Sequence, residues 1–157
     1  MHIVQKLLIE LSGDTMEKFL TFTEYINKNM NTPNEEDYIE MIYRLQDQKI
    51  TNSLLSSKLN VKPSSITKMI NKLICKKLIL NECIGEIKLS EEGKKLGERC
   101  IRRHIIIESF LKNIGIKNNL LLHTEVIEHT IDDEITDRID LLNDIFEKNF
   151  FLKDYFK

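Results

Sequence analysis

The chain has 157 residues, 41% hydrophobic and 31% charged, a composition that fits a soluble globular protein with one ordinary core or two small subdomains and excludes a disordered tail. No apolar run approaches the ~20 residues of a membrane-spanning helix, and the opening MHIVQKLLIELSG, interrupted by Lys6 and Glu10, lacks the basic start and unbroken apolar run of a signal peptide. The net charge of −2 hides a division: residues 49–103 hold 13 Lys and Arg against 5 Asp and Glu, whereas residues 1–48 hold 4 against 9 and residues 104–157 hold 6 against 11.

In chain order, the amphipathic opening and the helical stretch MEKFLTFTEYINKN, joined by LSGD at residues 11–14, form an N-terminal helical extension over residues 1–31. TPNEEDYIEMIYRL then starts a helix with Thr32 as cap, Pro33 at the first helical position and Glu35 three residues after the cap. Its apolar residues Ile39, Ile42, Tyr43 and Leu45 carry it to about residue 47. TNSLLSSKLN is a short second helix. After the turn NVK, PSSITKMINKLICKK is a third, with Ile66, Met69, Ile70, Leu73 and Ile74 inward. LILNECIGEIKLS reads as a hairpin of two short strands about Gly85. Helix, turn, helix, hairpin over residues 32–92 is a winged helix-turn-helix.

SEEGKKLGERCIRRHIIIESFLKNIG is a long helix capped by Ser90 and ended near Gly115, although Gly93 and Gly97 lower its propensity. NNLLLHTEVIEHT is a helix capped at Asn118 or Asn119, and DDEITDRIDLLNDIFEKN another, starting at Asp132. The stripe Ile135, Ile139, Leu142 and Phe146 on that last helix is expected to be buried, in the subunit's own core or between two subunits. The fold class is thus mainly α, a winged helix-turn-helix followed by an all-helical domain over residues 93–157. Cys75, Cys83 and Cys100, an odd number without C-x-x-C spacing, indicate neither a disulfide framework nor a zinc ribbon; they read as small apolar residues in a reducing, cytoplasmic protein.

The helix beginning at Pro63 turns Ser64, Ser65, Thr67, Lys68, Asn71 and Lys72 away from its apolar side, and Lys62 precedes it. Short hydroxyls and an amide suit base edges, and lysines suit phosphates. A solvated amphipathic helix would look similar, but this one coincides with the helix-turn-helix pattern and the basic segment, which together point to double-stranded DNA. Glu82 and Glu86 in the hairpin cut against a wing that grips phosphate, leaving its tip clear of DNA.

TEVIEHT places Glu125, Glu128 and His129 at offsets of three and four, on one face of a helix. Asp37 and Glu40 are three apart on the first helix of the winged unit, and His104 lies on the long helix. If the three helices pack together, these six side chains converge. Without a cation the carboxylates would repel and raise one another's pKa; one or two divalent ions would remove that penalty. Taken singly each pair is commonplace on exposed helices, and His2 and His123 are assigned to that ordinary background. E-V-I-E-H is neither the H-E-x-x-H of zinc peptidases nor the Glu-x-x-His pairing of ferritin-like bundles.

The order E-D-Y-I-E-M-I-Y, V-K-P-S-S-I-T-K-M-I-N-K-L, L-S-E-E-G-K-K-L-G, R-R-H-I-I-I-E-S-F-L and E-V-I-E-H, spanning residues 32 to 147, resembles the diphtheria-toxin-repressor family, most like its manganese transport regulator branch. The resemblance implies a homodimeric, metal-activated winged-helix repressor, not an enzyme, that binds a palindromic operator and turns down metal-uptake genes. It implies a helical domain used for dimerisation and no membrane or small organic substrate as partner. Carried over, the family's ligands fall on Asp37, Glu40, His104, Glu125, Glu128 and His129, for one or two ions per subunit. The iron-sensing branch has methionine and cysteine at the positions of Asp37 and Glu125; oxygen ligands there favour Mn²⁺, with Fe²⁺ or Zn²⁺ as alternatives. The chain departs from the pattern in its first 31 residues, in the glutamates of the wing, and in ending after FFLKDYF with no room for an SH3-like third domain. Two rivals stand beside this reading: a winged-helix regulator indifferent to metal, and a helical-bundle metalloenzyme, for which no nucleophile with a positioned base is visible.

Overall fold

The computed structural model describes residues 33–80 and 85–149. The expected opening helices, the LSGD linker, the Thr32 cap, Glu82, Cys83 and FFLKDYF lie outside these described residues. Six described helices follow in order: α1 Pro33–Arg44, α2 Asn52–Leu59, α3 Pro63–Cys75, α4 Glu91–Asn113, α5 Leu120–Glu128 and α6 Asp133–Lys148. Among them, none is long and apolar enough to cross a membrane.

α1 stops at Arg44, short of the expected end, because its last turn tightens. The Leu45 amide reaches both Met41 and Ile42 carbonyls (3.1 and 3.2 Å) and the Gln46 amide reaches Tyr43 (3.3 Å). Thr51 caps α2, its hydroxyl accepting from the Leu54 amide at 3.2 Å. Asn60 closes α2 in the left-handed conformation (φ 52), which turns the chain sharply into Pro63. Ile66, Ile70 and Leu73 of α3 lock against Ile39 and Ile42 of α1, Leu55 of α2, and Leu96 and Cys100 of α4 in one core.

The expected hairpin is reduced, among the described residues, to a single antiparallel bridge, Ile79 with Leu89. Flanking bonds run from the Leu80 amide to the Lys88 carbonyl (2.9 Å) and from the Ser90 amide to Leu78 (3.0 Å), and the Ile87 amide adds the loop before α2 through the Ile50 carbonyl (2.8 Å).

α4 begins where expected, Ser90 accepting from the Gly93 amide at 3.0 Å. Its two glycines, unfavourable for an isolated helix, are required by contact: a Cβ at Gly93 would stand 2.1 Å from the Leu78 carbonyl oxygen, and one at Gly97 2.6 Å from Cβ of Tyr43. Gly93→Ala is therefore expected to destabilise the protein despite a helix-propensity gain of ~1 kcal/mol. Backbone cannot swing aside as a side chain can, so the loss is at least ~1–3 kcal/mol, read as a lowered urea midpoint.

α6 divides its expected apolar stripe between partial burial and exposure. Its side toward α4 is polar: Thr136 and Asn143 are buried, the Asn143 amide donating to the Ile106 carbonyl at 2.9 Å and its oxygen accepting from Asn113 at 3.0 Å. Arg102 of α4 adds pairs to Asp137 (2.8 Å) and Asp140 (3.1 Å). With that seam satisfied by polar groups, Ile135 and Leu142 stay 46% and 43% exposed, joined by Leu141 and Ile145, while Ile139 is half-buried and Phe146, also half-buried, packs on Phe110 with ring centroids 6.5 Å apart. Leu121, Leu122 and Val126 of α5 and Ile105 of α4 are likewise exposed. Single chains rarely leave so much apolar surface unpartnered.

Candidate metal centre and nucleic-acid interface

The first turn of α1 carries three consecutive acids, Glu35, Glu36 and Asp37. Successive helix residues point ~100° apart, so each addresses a different neighbour. Glu35 faces α3, accepting from Lys72 and Lys76, each at 2.6 Å. Glu36 faces α4, held at 2.6 Å by the guanidinium of Arg103; both groups are buried. Asp37 faces the end of α5, its carboxylate 3.0 Å from Nε2 of His129. Both Glu35 oxygens are thus engaged by lysines.

His129 is the residue that caps α5, and its Nδ1 lies 3.3 Å from Glu36. The preceding residue, Glu128, is almost fully buried and accepts from Nδ1 of His104 on α4 at 2.7 Å, while Glu125, one turn back, approaches the same nitrogen at 3.7 Å. Two groups of potential ligand atoms result, Asp37 with Glu125 and His129, and His104 with Glu125 and Glu128, each within 4.8 Å. Glu125 is common to both. Adjacent ligands of one ion with bonds of ~2.1 Å stand ~3.0–3.4 Å apart, and the Asp37–His129 separation of 3.0 Å is of that size. All of this lies at the C-terminal end of α5, where the helix dipole also favours a cation. Borderline imidazole with hard carboxylate is a donor set suited to Mn²⁺, Fe²⁺ or Zn²⁺, so the residues fit the implied metal.

The electrostatics carry the same message. Hydrogen bonding to Asp37, then to Glu36, raises His129 to about 10, and the bond to Glu128 raises His104. Both shifts have one cause: the neighbouring carboxylates favour positive charge on the imidazoles. Burial, followed by the charge of Glu128, raises Glu125. Burial alone would also raise Glu36 and Glu35, but His129 and Arg103 bring Glu36 below its usual value, as Lys72 and Lys76 do for Glu35.

Five of the six expected ligands therefore meet. Glu40 is the exception: it lines the same cleft of about 430 Å³ but turns to Arg44 one turn on, whose Nε donates at 2.8 Å. Such a half-exposed i,i+4 pair is worth only ~0.3–0.5 kcal/mol, little resistance to Glu40 swinging inward. Sequence reading missed Glu36 and Arg103, for which no local signal exists beyond the unusual run of three acids. Cys100, read as a small apolar residue, does lie in the core. Burial and the neighbouring Glu36 charge push that thiol up to about 12. Alkylation of the native protein at pH ~8 is accordingly expected to modify the exposed Cys75 and spare Cys100, a pattern that peptide mapping after brief labelling would check.

On α3, the expected reading residues Lys62, Pro63, Ser64, Ser65, Thr67, Lys68, Asn71 and Lys72 are all exposed. Lys62 at the N-cap position makes no side-chain cap bond. The Thr67 hydroxyl bonds the Pro63 carbonyl at 3.1 Å and lies 3.4 Å from the Asn52 amide, bridging α2 and α3. Lys72 sits at the flank of this face, engaged by Glu35.

A helix-turn-helix unit joined through carboxylates and imidazoles to a helical unit with exposed apolar faces defines a class of protein, the helix-turn-helix domain with a companion helical domain. Comparison with known proteins makes the class particular. The family described as iron dependent repressor matches in both parts: the N-terminal DNA binding domain over residues 30–79, and the metal binding and dimerisation domain over residues 90–150. The chain belongs to this iron-dependent repressor family, that of the diphtheria-toxin repressor, on the manganese-regulator side. Among solved structures it is similar to the manganese regulator SloR (33% identity, 71% of this chain and 54% of that one, TM-score 0.63). It is also similar to ScaR with bound Zn²⁺ (34%, 71% and 54%, 0.63) and to the metal-dependent transcriptional regulator MtsR (35%, 73% and 55%, 0.65). The chain spans about half the length of these solved relatives.

Proposed function

We propose that this protein is a metal-activated DNA-binding repressor, cytoplasmic and without catalytic activity, that turns down metal-uptake genes. The observation that carries the reading is the carboxylate–imidazole centre built from both halves of the chain. Asp37 lies on the first helix of the winged unit, Glu125, Glu128 and His129 at the end of α5, and His104 on the helix between. Mn²⁺ is the preferred ion, with Fe²⁺ or Zn²⁺ as alternatives, one or two per subunit; when bound it supplies the positive charge that the clustered carboxylates require. Asp37, His104, Glu125, Glu128 and His129 would hold it, with Glu40 joining after release of Arg44. Lys62, Pro63, Ser64, Ser65, Thr67, Lys68 and Asn71, with Lys72 at the flank, would read and grip double-stranded DNA, the hydroxyls and amide meeting base edges. The proposed division is an extension over residues 1–31, the reader over 32–92 and the metal-binding and dimerisation part over 93–157.

The exposed apolar faces of α5 and α6 suit pairing of two copies, and a two-fold dimer would read a palindromic operator with half-sites ~34 Å apart. Holding α1 against α4 and α5 fixes the reader relative to the dimer and lowers the ordering cost of DNA binding. The test is a DNA-shift titration with Mn²⁺, Fe²⁺ and Zn²⁺ in turn, with metal content measured on the same samples. Affinity is expected to rise by ~5 to 150-fold with the activating ion. Equal binding in chelator and in Mn²⁺ would instead favour a winged-helix regulator indifferent to metal, its carboxylates satisfied by His104, His129 and Arg103.

A further inference from the structure

Glu35 belongs to no ligand group, yet its side chain is only 1% exposed while both lysines that bond it lie at the surface. One oxygen accepts from Lys72, in the last turn of α3, and the other from Lys76, the residue that caps that helix. Two separate attachments from one carboxylate hold the C-terminal end of the reading helix more firmly than a single pair, because sliding or rotation of α3 stretches one of them. The next residue, Glu36, is fixed to Arg103 and lies against His129, and the one after, Asp37, meets His129 directly. These acids share one helical turn, whose backbone moves as a unit. A displacement of Asp37 is therefore passed to Glu35 without any flexible link.

We propose that Glu35 is a positioning residue that transmits the state of the carboxylate–imidazole centre to the DNA-reading helix through its paired bonds to Lys72 and Lys76. This rests on the metal-activation reading above. It also assigns Lys72 a role different from phosphate contact: the lysine is the far end of a strap, and its charge is matched by the carboxylate beneath it.

The test compares the wild type with Glu35→Gln, which keeps shape and removes charge. Four quantities are measured: affinity for the best duplex that the wild type recovers from a randomised DNA pool, in Mn²⁺ and in chelator; its salt dependence; Mn²⁺ affinity of the DNA-free protein; and thermal unfolding. Loss of charge-assisted bonds of this kind is expected to weaken metal-loaded DNA binding ~10-fold or more. Binding in chelator and Mn²⁺ affinity without DNA should each stay within about twofold, because only the coupling between the sites is lost. Equal weakening with and without Mn²⁺ would overturn the proposal and leave Glu35 a plain structural clamp. Tighter binding with a steeper salt slope would overturn it too, showing that Glu35 merely withholds lysines from phosphates. A wild type unresponsive to Mn²⁺ would defeat the metal-activation reading itself before the variant is considered, and this proposal with it. Lys76→Gln leaves Glu35 ionised against Lys72; should Glu35→Gln fail to fold, this variant is expected to show a smaller loss of the same coupling, and unaltered coupling in it would overturn the proposal.

Discussion

Glu128→Gln is expected to abolish the manganese-dependent part of DNA binding while leaving a folded protein. Glu128 is 1% exposed and is the hub of the centre: one oxygen accepts from His104 at 2.7 Å and the other lies 3.8 Å from Nε2 of His129. The amide preserves size and an acceptor oxygen, so packing survives, but the negative charge that a divalent ion needs is gone. Outer-shell changes alone typically cost ~10–100-fold in metal affinity, and loss of a direct ligand should cost no less. A Mn²⁺ titration of the DNA shift beside a circular dichroism spectrum checks this: an unchanged spectrum with the response gone is the expected result. A variant that answers Mn²⁺ at wild-type concentrations would remove Glu128, and with it the shared centre, from the mechanism.

The largest stability effect is expected at Arg103→Met. Arg103 and Glu36 are 3% and 4% exposed and form the only pair described here in which both partners are buried. Removing the guanidinium leaves Glu36 as a buried carboxylate with His129 as its remaining partner, and breaking a buried pair in this way costs ~3–5 kcal/mol. Because His129 still offers a positive charge, the lower end of that range is expected, a fall in Tm on the order of 10 °C for a domain of this size. The double change Arg103→Met with Glu36→Gln removes both charges and should recover most of the loss, since the penalty lies in the orphaned charge rather than in the missing bond. One guanidinium nitrogen, Nε, is already buried without a hydrogen-bond partner, so the pair is stabilising only in the sense that neither half tolerates loss of the other. A Tm unchanged in the single variant would show that the pair is solvated in solution.

Much of the architecture was legible from local chemistry. Ser90 and Asp132 cap α4 and α6 through their own side chains, the latter bonding the Ile135 amide at 2.9 Å, and the turn before Pro63 separates α2 from α3 as expected. These features depend on residues within one turn of each other, so spacing alone specifies them. The grouping of Asp37, His104, Glu125, Glu128 and His129 was in part legible from spacing within α5, together with a family resemblance carried by motifs in order, whereas the turn of Glu40 toward Arg44 was not.

What the sequence by itself determined, then, was which side chains share a helix face: Glu125, Glu128 and His129 on α5, and the hydroxyl and lysine face of α3. Only the tertiary structure decided what those faces meet. Arg103 reaches Glu36 across 67 residues of chain and Lys76 reaches Glu35 across 41, separations over which no periodicity carries information. The same holds for Gly97, whose missing side chain is read only against Tyr43, and for Ile135 and Leu142 of α6, left exposed because Thr136 and Asn143 won the seam with α4. Helix periodicity fixes the direction of a side chain relative to its own axis; the approach of a second axis fixes whether that direction ends in a partner, in solvent or in a clash.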